Sequence, residues 1–182
     1  MQDFANWFSY YRKRKLLMNS SMGAVFQNLR NIRMGMVRFN SNSDVTMYNF
    51  SDTDNTKNAR RLLNTNYGVN GSGGTPTRVT LDYIGQQYKR TNAGAPITQS
   101  CQFNSAFIVT DGYATINTPA TVPGNADYDS VWSVQYGNAN TFPYQDSASD
   151  TLADIAMKYY GVALTDALRT GTGFPLGKVP VN

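Results

Sequence analysis

Two short stretches carry oxygen donors in places where a fold brings donors together. Gly73-Gly-Thr-Pro76 ends a glycine-rich loop just before a helix-like pattern, and Ile108-Val-Thr-Asp-Gly112 ends a short apolar run. In an alternating α/β fold, a threonine at a helix start and an aspartate at a strand end face one crevice. Thr75 and Asp111 would then offer a hydroxyl and a carboxylate to a hard cation such as magnesium or calcium, which needs several further oxygens. The plainer reading of the same two residues is a helix cap and a strand-end turn.

The rest of the composition narrows the chemistry. All 12 acidic residues are Asp, and the 182-residue chain has no Glu and no His. The commonest general base and the usual zinc ligand are therefore missing, and an enzyme is not expected. The glycine-rich loop lacks the Gly-Lys-Ser/Thr ending of a phosphate-binding loop. A net charge of +4 is mild, and the run Arg12-Lys13-Arg14-Lys15 reads as a solvated helix face rather than a nucleic-acid surface. Cys101 is the single cysteine, so an internal disulfide is excluded. No apolar run is long enough to span a bilayer, and no membrane insertion by this segment is expected.

Periodicity supplies the elements that would position the two donors. Phe4 to Leu29 reads as one long amphipathic helix. Arg33 to Phe39 and Asp44 to Phe50 read as an antiparallel hairpin across a tight connection at Asn40 to Ser43. A helix is expected from Thr56 to about Asn66, buried through Ala59, Leu62 and Leu63. Another runs from Thr75 as cap and Pro76 as first residue to about Lys89, with Leu81, Ile84, Gly85 and Tyr88 on one side. Ser105 to Thr110 reads as a buried parallel strand. Residues 113–148 form a long loop or insertion, rich in Asn, Gly, Pro, Asp and Tyr. Its tyrosines and Trp132 either form an adhesive surface or pin the loop to its domain. Asp127, Asp129, Asp146 and Asp150 lack the spacing of an EF-hand. Ser149 caps a last helix from Asp150 to about Tyr160, with Leu152, Ile155, Ala156 and Tyr159 inward.

Gly73–Pro76 and Ile108–Gly112 resemble the second and third loops of the metal-ion-dependent adhesion site of von Willebrand factor A domains. Asp3–Arg12, Gly73–Arg78, Ser100–Gln102, Val109–Tyr113 and Ser149–Met157 resemble, in that order, the N-terminal region of type IV pilus tip-associated adhesins and biogenesis factors. The resemblance implies an incomplete von Willebrand factor A (Rossmann-like) three-layer fold, with a mostly parallel sheet, one antiparallel edge hairpin and flanking helices. Residues 1–182 would form a single partial domain, lacking its first strand and its last strands. The main metal loop, Asp-x-Ser-x-Ser, would lie upstream with that first strand, leaving Thr75 and Asp111 as a partial site. Magnesium or calcium would belong to the full-length protein, with no ordered ion expected in this chain.

The implied function is adhesion and pilus assembly at the pilus tip or bacterial cell surface, outside the cell, with a signal peptide upstream. Minor pilins or the pilus tip complex, and a host surface ligand, would be the partners. The alternative is a structural scaffold that contacts minor pilins without a working metal site.

Overall fold

The computed structural model describes residues 1–40, 43–51, 55–68, 73–99, 102–117, 119, 122, 124–125 and 146–161. The described residues are α/β, with five helices and one two-stranded antiparallel sheet. The expected parallel sheet is not formed among them. They fall into two compact units, Met1–Met36 with Thr46–Gly73, and Val37–Val45 with the described residues from Gly74 onward.

The first unit holds α1 (Gln2–Tyr10), α2 (Arg14–Phe26), β1 (Ile32–Met34), β2 (Tyr48–Phe50) and α3 (Asn55–Tyr67). The single helix expected from Phe4 to Leu29 is broken at residues 11–13. The Tyr11 amide still donates to the Trp7 carbonyl at 2.8 Å, but Lys13 is extended at φ −100° and ψ 136° and starts α2. The break falls inside the basic run, where adjacent turns carry like charges and no acid sits one turn away to offset them.

Asn31, left-handed at φ 56°, carries the chain from α2 into the sheet, where its amide donates to the Phe50 carbonyl at 2.6 Å. β1 and β2 pair antiparallel with Ile32 opposite Phe50 and Met34 opposite Tyr48. The expected antiparallel pairing is present in shortened form, with a wide excursion between the strands in place of the tight connection. Phe26, Phe50, Ala59 and Leu62 form the core of this unit, with Met22, Met34 and Leu63 packed against it. Ala59 and Leu62 are on the face that periodicity assigned to them. Asn19 and Asn66 are also buried, hydrogen-bonded to each other between α2 and α3. One amide nitrogen, Nδ2 of Asn19, has no partner among the described residues.

The second unit is built on α4 (Thr77–Tyr88) and α5 (Leu152–Gly161). Ile97, Ile155 and Tyr159 are its buried core, with Leu81 and Tyr88 packed against them. Tyr159 lies directly on Gly85, where an added Cβ would come within 2.3 Å of the ring. Beneath that contact Asp82 is buried. Its carboxylate accepts from the Tyr159 hydroxyl at 2.7 Å and from Gln86 Nε2 at 2.8 Å, with Lys158 Nζ 3.5 Å away. α5 starts two residues later than expected, and Thr151, not Ser149, caps it. The Asp154 amide donates to the Thr151 hydroxyl at 3.2 Å, while the Asp154 carboxylate accepts from the Thr151 amide and hydroxyl, each at 2.7 Å. This is a reciprocal capping box with Asp in the acidic position.

The parallel strand expected at Ser105 to Thr110 is not a strand among the described residues. Burial nevertheless alternates along it, with Ala106 and Ile108 half-buried and Phe107 and Val109 exposed. Ala106 and Ile108 line an apolar groove of about 510 Å³ with Leu81, Ile84, Leu152 and Ala156. Leu152 and Ala156, expected inside, line that groove and are exposed. The residue types are those of a strand, but no neighbouring strand supplies the ladder that defines one.

Two outcomes test this packing. Gly85→Ala should destabilise the protein by about 1–3 kcal/mol through overpacking, despite the roughly 1 kcal/mol that alanine gains in a helix. The Tyr159 ring is tied in place by its bond to Asp82; an unchanged or higher urea midpoint would refute the contact.

The second outcome concerns the Tyr88 hydroxyl, which donates to the Ser105 carbonyl at 2.6 Å and whose burial raises its pKa above the usual 10.0. The folded state then holds that proton more tightly than the unfolded chain, so the stabilisation is complete below the unfolded pKa and is lost as pH rises through the folded one. Stability measured by urea denaturation should fall as pH rises past about 10, and Tyr88→Phe should flatten the profile.

Candidate functional site

The loop Gly73–Pro76 is held by its backbone. Gly73 is left-handed at φ 90°, and a Cβ on Gly74 would come within 2.3 Å of the Thr115 hydroxyl oxygen, so only glycine allows this approach. The Thr75 amide donates to the Thr115 hydroxyl at 2.9 Å, and the Thr115 amide donates back to the Thr75 carbonyl at 2.8 Å. From the other side, Asn40 Nδ2 donates to the Gly74 carbonyl at 3.0 Å.

Thr75 does not cap α4 as expected. Its carbonyl accepts from the Thr77 amide at 2.8 Å across Pro76, which sits at φ −79° and ψ 67°. These are the angles of an inverse γ-turn, which uses the threonine carbonyl and leaves its side chain out of the helix start. Pro76 precedes the helix instead of opening it, and α4 begins at Thr77 without a side-chain cap. The Thr75 hydroxyl makes no hydrogen bond among the described residues.

Asp111 lies on the segment that Thr115 ties to this loop. It is exposed, and it is followed by Gly112 at φ 127°, whose amide donates to the Thr110 hydroxyl at 3.3 Å. What reaches the Thr75 loop from this segment is Thr115, four residues beyond Asp111. Thr115 and Asn40 were not foreseen. Asn40 sits in a turn-rich stretch and is left-handed at φ 64°, a conformation asparagine tolerates. Nothing in the sequence around Thr115 marks it.

As a cation site the described residues are partial. No group of three or more His, Cys, Asp or Glu capable of holding a metal occurs among them. Thr75 and Asp111 supply two oxygen-bearing side chains, short of the six to eight oxygens that calcium takes or the octahedron that magnesium requires. These two side chains could hold a hard cation only as part of a larger donor set.

Within and just after the 113–148 segment, Gly124 and Asn125 are tied to Asp150 and Asp146, close to the start of α4. Gly124 and Asp150 exchange two hydrogen bonds, from the Asp150 amide to the Gly124 carbonyl at 2.9 Å and from the Gly124 amide to the Asp150 carboxylate at 2.8 Å. Arg78 of α4 donates to the Asp150 carbonyl at 2.7 Å, and Asn125 Nδ2 donates to the Asp146 carbonyl at 2.8 Å. Asp146 and Asp150 therefore serve backbone closure. Asp127, Asp129 and Trp132 lie outside the described residues, as does Cys101.

No protein-family profile matches the chain, and no solved structure matches it. Curated proteins do. The chain is 34% identical over 186 residues to the Type IV pilus biogenesis factor PilY1 of Pseudomonas aeruginosa strain PAK, a match that takes in 91% of this chain and 16% of that protein. A second Pseudomonas aeruginosa protein of the same name, from strain PAO1, is 31% identical over 189 residues, with the same shares covered. The chain spans only 16% of the length of these two relatives. Within that span, it belongs to the type IV pilus biogenesis factor family.

Proposed function

We propose that this segment is a binding module of a type IV pilus tip protein, acting in pilus assembly and adhesion outside the cell rather than in catalysis. It is the core of a von Willebrand factor A type domain whose adhesion site holds magnesium or calcium. The pair of hydrogen bonds between Thr75 and Thr115 supports this reading, because Thr115 follows Asp111 by four residues on the same segment. In this reading an upstream Asp-x-Ser-x-Ser loop completes the donor set. The strand before that loop pairs with Ser105 to Thr110, where alternating side chains and the apolar groove suit a neighbouring strand. The bound cation would present an open coordination position to an acidic group on a host ligand or a pilin.

The second reading is a scaffold that contacts minor pilins with no working metal site. What favours it is that among the described residues Thr75 uses its backbone, not its side chain, in its hydrogen bonds.

The intact protein in its piliated bacterium separates the two. Thr75→Ala and Asp111→Ala should each weaken magnesium or calcium binding at least about tenfold, the upper range for lost metal contacts being near a hundredfold. Both should reduce adherence while the folded protein persists at the surface. Thr115→Val, which removes the hydroxyl but keeps the shape, should weaken ion binding in the same direction by loosening the Thr75 loop. Unchanged calorimetric ion binding, with piliation and adherence intact in the Thr75 and Asp111 variants, would sink the metal-bridged reading and leave the scaffold.

A further inference from the structure

The helix α1 presents a stripe of aromatic side chains that its own unit does not cover. Phe4, Trp7, Phe8 and Tyr11 recur at the spacing of one helix face and are 67%, 52%, 46% and 40% exposed, and α1 has no buried residue. The rings associate with one another, Phe4 lying 6.0 Å from Trp7 and 6.1 Å from Phe8 between centroids. The basic run follows at once. The Arg12 guanidinium sits 4.5 Å from the centroid of Phe8, which places a cation on the aromatic face itself, and Lys13 and Arg14 are exposed beside it. Asp3 is the only acid before Asp44.

We propose that α1 and residues 12–14 form an interfacial anchor that lies flat on an anionic lipid surface. Tryptophan and tyrosine partition into the headgroup boundary, where an apolar body is buried while a polar edge stays wet, and phenylalanine adds apolar area beside them. Arginine and lysine beside them meet the lipid phosphates. At nine residues, α1 is about 14 Å long. It cannot cross a hydrocarbon core of about 30 Å, so it lies in the plane of the surface.

Charge selects this occupant over a second copy of the chain. Pairing two copies through this face would bring two basic runs into one interface with a single Asp3 from each copy to offset them, whereas an anionic bilayer supplies compensating charge and an apolar phase together. A polyanion without an apolar phase would match the cations and leave the rings in water. The site is independent of the Thr75 and Asp111 loops, and its failure would leave that reading untouched.

Co-sedimentation of the 182-residue chain with large unilamellar vesicles tests the anchor. Equimolar phosphatidylglycerol and phosphatidylcholine should bind the chain, pure phosphatidylcholine should bind it far less, and raised salt should release it. Trp7→Ser with Phe8→Ser should cut binding at least about tenfold, and Arg12→Gln with Lys13→Gln should cut it about fivefold per charge removed. All four side chains are exposed, and unchanged circular dichroism of the variants will show that folding is retained. Equal binding to both vesicle types, or full binding by the Trp7/Phe8 variant, overturns the proposal. So does retention on heparin that matches vesicle binding and survives loss of the two rings. Sedimentation equilibrium of a wild-type dimer that the Trp7/Phe8 variant abolishes would assign the face to self-association instead.

Discussion

A carboxylate buried between two helices must find a full set of partners, because removing it from water costs far more than any single hydrogen bond returns. Asp82 meets that requirement through the Tyr159 hydroxyl, Gln86 of its own helix and Lys158. The Tyr159 bond can form only because Gly85 lets the tyrosine ring lie against the backbone of α4. The distance between α4 and α5 is therefore set by a polar bond and a missing side chain together. Arg78, on the first turn of α4, then reaches Asp150 just before α5, and the start of α4 follows from the γ-turn at Pro76. The loop of Thr75, the neck at Gly124 and Asp150, and the capped start of α5 all take their positions from this one helix pair.

Within the candidate site, hydrogen bonds to the main chain do most of the fixing. Thr115 holds both the amide and the carbonyl of Thr75, and Asn40 holds the carbonyl of Gly74. A loop pinned through its backbone can keep its path while its side chain stays available, as the Thr75 hydroxyl is here. Asp150 shows the opposite economy. Its carboxylate, amide and carbonyl are all engaged in closing the neck, which makes it a structural residue despite its charge.

How much of this could be read from sequence depends on whether the signal was apolar or polar. Ala59, Leu62, Ile155 and Tyr159 were placed correctly, since burial of periodic apolar side chains is a local pattern with a strong free-energy gradient behind it. Asn19 and Asn66 were missed for the same reason: two amides buried against each other carry no apolar signature. The break at residues 11–13 was hidden because the stripe from Phe4 to Leu29 continues on either side of it. The pairing of Ile32 to Met34 with Tyr48 to Phe50 was legible in kind but not in extent. The pattern of oxygen donors drew attention to the Thr75 loop, yet the residue that holds its backbone, Thr115, is one threonine among many.

The run Ala106 to Val109 shows most plainly where sequence and structure part. Alternating burial, β-branched residues and an apolar flank all favour a strand, and α4 and α5 present the apolar side chains against which one would pack. A strand, however, is a property of a pair, because its backbone amides and carbonyls must be matched by a neighbour. With no neighbour among the described residues, the same side chains leave Phe107 91% exposed and Leu152 at the rim of a groove. Exposed aromatic and aliphatic surface of this kind is costly in water. It weights the stability of this unit toward whatever polypeptide pairs with residues 105–110, and in the proposed adhesion domain that polypeptide is the strand leading into the first metal loop. Folding and ion binding would then be coupled, because the strand that fills the groove is the one that brings the missing ligands to Thr75 and Asp111.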